Sequence, residues 1–255
     1  MKIFISKYHL ISKKSIEEIL QNFNTVGQLL FADDKGRRNR IKVIEKDGKK
    51  FNIKAFKRPN YINRYVYVFF RKSKAERSFE FAEKLIKKGI STPKPIAFAE
   101  ETNKGALTKS FYISEHLDYD LTFRDLDLAL PGHEAILRAF TRFTFELHEK
   151  KIEFLDHSPG NTLIQLNNGD YQFYLVDLNR MIFKSLNFTE RMKNFARLTP
   201  DKEKVKIMAE EYSELLGKPE NEVFEIMWFF AHSFFENRGK NQKLKQKFKS
   251  LVGSK

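Results

Sequence analysis

Phe154-Leu-Asp-His-Ser-Pro-Gly-Asn161 runs straight into the apolar stretch Thr162-Leu-Ile, and Tyr174-Leu-Val-Asp177 closes a second apolar stretch sixteen residues beyond Asn161. Between them lies Asn167-Asn-Gly-Asp170, a turn sequence with hydrophobic residues on either side. The spacing predicts a β-hairpin that brings Asp156 and Asp177 to one edge. Asp, Ser, Pro, Gly and Asn all favour turns, so the pair Asp156-x4-Asn161 alone carries no more than turn chemistry. The order of the parts carries more: a helix ending in Leu147-His148, then the loop, then the hairpin, then a terminal acid.

That order suits phosphoryl transfer. Asp156 is placed to orient an acceptor hydroxyl and take its proton, while Asn161 and Asp177 offer hard oxygen ligands to a magnesium ion bridging the phosphates of ATP. Such a site asks little covalent chemistry of the protein, and positioning and charge neutralisation carry the rate. In protein kinases these tasks fall to the Asp and Asn of the catalytic loop and to the first Asp of Asp-Phe-Gly, and the spacing of Asp156 and Asn161 is similar to theirs. The expected fold is α+β and resembles that of protein kinases. An N-lobe over 1–117 would hold a small antiparallel sheet with one long helix, and a mainly helical C-lobe would fill 118–255.

A chain of 255 residues has room for two lobes and a sizeable core. Its 41% hydrophobic content marks it as globular, and the absence of cysteine excludes a disulfide framework or a cysteine zinc site. Met1-Lys-Ile-Phe-Ile-Ser-Lys7 is too interrupted for a secretory signal, and no apolar run reaches bilayer-spanning length, so a cytoplasmic location is expected. The formal net charge of +14 suits an anionic partner, whether nucleic acid, lipid or a phosphorylated substrate, or serves solubility alone. No nucleic-acid motif accompanies it, so no specific nucleic-acid partner is expected.

Within the first lobe, Ser15-x-x-Glu18 reads as a capping box for a helix over 15–23. Strands are expected on either side of Asp47-Gly48, the second of them Phe51–Lys57, and again over Tyr61–Phe70. Kinase-like folds place a phosphate-covering loop in the first hairpin; the candidate is Lys35-Gly36-Arg-Arg-Asn39, whose one glycine, Gly36, is a weak signal. Lys54, in the apolar strand Ile53-Lys54-Ala55, suits the ATP-contacting position, with Lys57 as the other register. A helix over Ser73–Lys88, closed by Gly89, carries Glu76, Glu80 and Glu83 on one face. Glu80 is the favoured partner for Lys54, although solvated pairing of these acids with nearby lysines fits equally well. The strand ending in Glu115-His-Leu117 is the expected lobe connector, with the backbone of Glu115 to Leu117 meeting adenine.

The second lobe opens with a helix over Pro131–Lys151 whose Ala135, Ile136, Ala139, Phe140, Phe143 and Leu147 form a buried stripe. His148 at its end reads as a packed or capping residue. Helices follow near 188–198, 201–216 and 219–237, and the lysine-rich end sets Leu244, Phe248, Leu251 and Val252 along one side. A basic amphipathic helix of this kind either docks on its own domain or lies on an anionic membrane.

Ile53-Lys54, Gly89-Ile-Ser-Thr-Pro-Lys-Pro-Ile-Ala97, Leu147-His148, Asp156-His-Ser-Pro-Gly-Asn-Thr-Leu-Ile164 and Val176-Asp177 together resemble the bacterial lipopolysaccharide kinases, which phosphorylate Kdo or heptose of the inner core. The resemblance covers roughly residues 35 to 185. It implies a phosphotransferase using ATP and Mg2+, with Lys54 holding ATP phosphates, Asp156 as base, and Asn161 and Asp177 on magnesium. It also implies a lipid-linked sugar or other small hydroxyl-bearing acceptor, met at the inner face of the inner membrane. Phe154-Leu155 where protein kinases have His-Arg, Asp-Leu-Asn in place of Asp-Phe-Gly, and the lack of a following Ala-Pro-Glu count against a regulated protein kinase. Another hydroxyl, as in an aminoglycoside-type or atypical protein kinase, and a non-catalytic module on an anionic surface are the alternatives.

Overall fold

The computed structural model describes residues 1–31, 39–60, 63, 66–67, 70–167 and 169–252, with side chains described as far as residue 240. The chain divides into two compact units, residues 1–118 with 174–180, and residues 119–173 with 181–255.

The first unit holds a six-stranded antiparallel sheet. Its strands are β1 (Lys2–Ile5), β2 (Gln28–Phe31), β3 (Arg40–Lys46), β4 (Lys49–Ala55), β5 (Pro95–Asn103) and β6 (Ala106–Glu115), in the order β1-β5-β6-β4-β3-β2. Asp47 and Gly48 both have positive φ at the β3–β4 turn, the conformation a two-residue hairpin demands. Pairing fixes which side chains share a face. Lys54 lies opposite Ile41 and Tyr112, and Tyr112 lies opposite Phe98. Against Phe98 pack Ala75 and Phe79 of α2 (Lys74–Lys87), a helix capped by the Ser73 hydroxyl and followed by Gly89 at φ 70°. The other face carries Ile44, Phe51, Ile53, Ala97 and Ile113, and Ile16, Ile19, Leu20 and Phe23 close over it from α1 (Lys13–Gln21) and the turn beyond.

Two expectations change here. The cap of α1 is Ser12, whose hydroxyl accepts from the Ser15 amide; Ser15 sits inside the first turn and makes no capping box with Glu18. The strand expected over 61–70 is not one where it is described: residues 63, 66 and 67 are helical, and Phe70 and Arg71 both donate to the Val66 carbonyl. A short apolar run without turn signals does not distinguish strand from helix by periodicity. Finally, β1 was not anticipated, and the phosphate-loop candidate with Gly36 lies outside the described residues.

The second unit is mainly helical. A three-stranded sheet orders β10 (Asp170–Leu175), β9 (Thr162–Asn167) and β7 (Leu121–Thr122), so the expected hairpin forms, with Gly169 at φ 95° in its turn. Helix α3 (His133–Glu149) buries Ile136, Leu137, Phe140 and Leu147. Around it gather Val205, Met208 and Tyr212 of α5 (Lys202–Leu216) and Val223, Met227 and Ala231 of α6 (Glu220–Val252). Helix α4 (Phe188–Asn194) adds Met192, and its cap is a reciprocal Asn187–Glu190 box. Helix α6 runs without a break from Glu220 through Gly239 to Val252, where the sequence had suggested a separate terminal helix. A lone interior glycine costs about 1 kcal/mol, too little to stop a helix of this length.

Candidate active site

In the first unit the period-2 register of β4 turns Lys54 toward the face that α2 packs on, and burial leaves little of the side chain in water. Its Nζ lies 2.6 Å from Asp177 Oδ1. Asp177 is fixed from two further directions. Its backbone takes a left-handed conformation at φ 59°, and Asn179 Nδ2 donates to the same Oδ1 at 2.5 Å. The segment is tied to its unit by Thr92 Oγ1, which donates to the Leu175 carbonyl at 2.7 Å, and by the Leu175 amide, which donates to Ser91 O at 3.1 Å. These bonds are why residues 174–180 group with the first unit.

In the second unit α3 ends, Lys151 turns the chain at φ 61°, and β8 (Glu153–Phe154) pairs antiparallel with β11 (Met181–Ile182). The loop that follows is over-determined. Asn161 Nδ2 donates to the Asp156 carbonyl at 2.8 Å, the Asn161 amide to Ser158 O at 2.9 Å, and the Arg124 amide to Pro159 O at 3.1 Å. The Arg124 guanidinium packs over Gly160, 3.0 Å from where a Cβ would stand, so a side chain there would push it aside. The Asp156 carboxylate is held by Arg197, Nη2 to Oδ1 at 3.1 Å, and Arg197 Nη1 also donates to the Leu155 carbonyl at 3.3 Å. Its guanidinium sits over the Phe234 ring of α6 at 5.4 Å.

Beneath the loop a buried relay supports it. Asn194 Nδ2 donates to the Phe154 carbonyl at 2.9 Å, which leaves Asn194 Oδ1 to accept from His148 Nε2 at 3.1 Å. His148 Nδ1 then accepts from the Tyr212 hydroxyl at 2.8 Å. Burial pushes His148 down to about 4, so the ring is neutral, as this bonding requires. His148 is thus a packed residue, and it steadies the loop through Asn194. His157, next to Asp156, is fully buried among the rings of Phe140, Phe154 and Phe195, and burial pushes it down to about 3, against the opposing influence of Asn194.

Of the expected site residues, Lys54 and Asp177 meet directly, and Asp156 and Asn161 share one loop. Glu80 does not meet Lys54: it pairs with Lys72, which also lies 3.9 Å from Glu76, while Glu83 accepts from Ser6. The reason is the face of α2 turned to the sheet, set by Ala75, Phe79 and Ala82, which leaves Glu80 at its margin. Glu115 and Leu117 line a cleft of 410 Å³ with Ile90, Pro93, Lys94 and Tyr174, and neither Lys54 nor Asp177 lines it. Three contributors had not been singled out: Asn179, Asn194 and Arg197. Asn179 lay in the Asp-Leu-Asn segment without a role assigned to it. Arg197 carried no signal, lying 41 residues from Asp156.

Among the described residues no group of three or more His, Asp or Glu side chains gathers to hold a metal by itself. Magnesium does not need one, since it is commonly bound by one or two protein oxygens together with substrate phosphates. Asp177, whose carboxylate Lys54 and Asn179 already hold, and Asn161, whose Nδ2 donates to the Asp156 carbonyl, each offer an oxygen of the kind such a donor set uses.

The family model described as lipopolysaccharide kinase (Kdo/WaaP) matches residues 22–217. Among solved structures, WaaP in complex with acyl carrier protein is similar at 16% identity and a TM-score of 0.61, covering 94% of this chain and 99% of that one. The Rio2 kinase–ADP/Mg2+–phosphoaspartate complex from Chaetomium thermophilum is similar at 14% identity and a TM-score of 0.48, covering 93% of this chain and 73% of that one. No curated protein matches. With the match spanning most of its length, the chain belongs to the lipopolysaccharide kinase (Kdo/WaaP) family and is a phosphotransferase with a protein-kinase-like fold.

Proposed function

We propose that this chain transfers the γ-phosphate of ATP to a sugar hydroxyl of the lipopolysaccharide inner core, Kdo or heptose. The observation that carries the reading is the 2.6 Å Lys54–Asp177 pair, a cation for phosphate and an acid for metal held together before either is used. Bound magnesium supplies charge neutralisation on the phosphates as the transferring group separates. Lys54 would hold the phosphates, and Asp177 and Asn161 would hold the metal through their side-chain oxygens. Asp156 accepts the proton of the acceptor hydroxyl, and Arg197 holds that carboxylate in place. The connector backbone at Glu115 and Leu117 takes the adenine and Gly36 covers phosphate, as the sequence suggested. A role for Glu80 beside Lys54 requires it to leave Lys72.

The acceptor is lipid-linked in this reading, so the protein works at the cytoplasmic face of a membrane, with the basic C-terminal stretch as one contact. No helix among the described residues is long and apolar enough to cross a bilayer. The test is transfer of labelled γ-phosphate from ATP to a Kdo-bearing lipid A acceptor, with Asp156→Ala as control and ATP binding measured in parallel. Transfer by the wild type alone is the expected result. Magnesium-dependent ATP binding without transfer would remove the inner-core acceptor from the proposal, and absence of ATP binding would remove the kinase mechanism.

A further inference from the structure

The amino-terminal sixteen residues contain four lysines and no acid. They are also held in an unusual way. Ser6 is buried, its amide donating to Ile96 O at 2.8 Å and its hydroxyl to Glu83 at 3.2 Å, and Ile11 packs on the α1 core while Ser12 caps the helix. The loop between these two anchors, Lys7-Tyr-His-Leu10, is pinned at both ends and pushed outward. Tyr8 is 65% exposed and Leu10 fully exposed. A single exposed apolar side chain is ordinary, but two on the tip of one anchored loop form a feature.

The charges around the loop break a local rule. Lys13 and Lys14 occupy the first turn of α1, which has no acidic residue, although the positive end of the helix dipole disfavours cations there. Lys49 and Lys94 approach from the sheet, near enough to His9 to help burial lower its proton affinity; Glu115, 4.0 Å from His9, is the acid that opposes them. Glu18, one turn from Lys14 and near it, is itself paired with Lys46. Cations gathered around two apolar tips fit an anionic surface that accepts apolar side chains at shallow depth.

We propose that Lys7–Leu10 with Lys13 and Lys14 is a docking surface for an anionic lipid bilayer, Tyr8 and Leu10 entering the headgroup region and the lysines neutralising lipid phosphates. The surface is independent of the phosphotransfer reading, and it is separate from the C-terminal stretch already suggested as a membrane contact. The experiment is sedimentation of the full chain with vesicles of phosphatidylcholine alone and of phosphatidylcholine mixed with phosphatidylglycerol, with ATP binding measured on each variant. Wild type binds the mixed vesicles, more weakly as salt rises, and leaves the neutral ones. Lys13→Gln with Lys14→Gln weakens binding roughly 30-fold, from the worth of two interfacial lysines. Tyr8→Ser with Leu10→Ser weakens it roughly 10-fold or more. Lys206→Gln, an exposed lysine of the second unit, leaves it unchanged.

Equal loss in Lys206→Gln would show that net charge binds, not this surface, and would overturn the proposal. So would wild-type binding by the loop variants, or binding that vanishes only on deleting residues 239–255. Loop-dependent binding to polyglutamate without binding to vesicles would reassign the surface to an acidic protein and likewise overturn it. Retained ATP binding in the variants separates each of these results from a failure of the kinase reading.

Discussion

Two carboxylates of this protein are each held by a cation, and the two pairs were built differently. Lys54 reaches Asp177 from a regular strand, while Arg197 reaches Asp156 from a loop beyond α4. The strand pair follows from alternation: once β4 lies between β3 and β6, every second residue faces α2, and Lys54 is one of them. The loop pair follows from tertiary packing alone, because Arg197 is aimed by the Leu155 carbonyl and the Phe234 ring. One pair belongs to secondary structure and serves nucleotide in the proposed mechanism. The other belongs to the fold and serves acceptor chemistry in that mechanism.

The largest expected effect breaks the second pair at its acid. Asp156→Ala lowers turnover by on the order of 10² to 10⁴, the range for losing a general base, with ATP binding kept; rapid-mix turnover beside equilibrium binding checks it. Next comes the first pair. Asp177→Asn weakens magnesium-dependent ATP binding by roughly 10-fold or more while binding without magnesium stays, which a metal titration reads.

Arg197→Ala is smaller and more informative. It lowers kcat roughly 10-fold and leaves KM for ATP unchanged, Arg197→Lys keeps part of the activity, and added guanidinium restores part of what Ala loses. A merely structural arginine would show no such rescue. If Arg197→Ala were instead to raise KM for ATP, the division of labour between the two pairs would be wrong.

The last effect is on stability and leaves both pairs untouched. His148 and His157 sit at about 4 and about 3, below their ordinary 6.5, because burial disfavours the charged ring. The unfolded chain therefore takes up protons below pH 6.5 while the native one does not. Stability is complete above 6.5 and erodes as pH falls toward 4, by about 2 kcal/mol at pH 5 for each histidine. His157→Leu, which removes one of the two buried titrating rings, removes about half of that erosion. Urea midpoints at pH 7 and pH 5 measure both.

Legibility in the sequence followed the same division. The Asp47-Gly48 and Asn167–Asp170 turns, the α2 stop at Gly89 and the strand bearing Lys54 were readable because each rests on a local rule of dihedral preference or alternation. Residues 61–70 were misread because aromatic and β-branched residues in a row satisfy strand and buried helix alike. The Glu80 pairing failed for a different reason. Three glutamates at helical spacing define a stripe but not which lysine reaches it, and Lys72, just before the helix, reached Glu80 first. Arg197 and Asn194 needed contacts across about forty residues of chain, which no spacing encodes.

The left-handed backbone of Asp177 decides how the proposed metal ligand can be probed at all. At φ 59° a side chain pays a steric charge that alanine meets in full, whereas asparagine, like aspartate, visits this region readily. Alanine would therefore relax the peptide as it removes the carboxylate, and glycine would loosen it, so neither isolates the chemistry. Asparagine keeps the shape, the turn and a hydrogen-bonding oxygen while deleting only the negative charge. At this one residue the conservative replacement is the cleanest knock-out, because geometry and charge can be separated there and nowhere else in the pair.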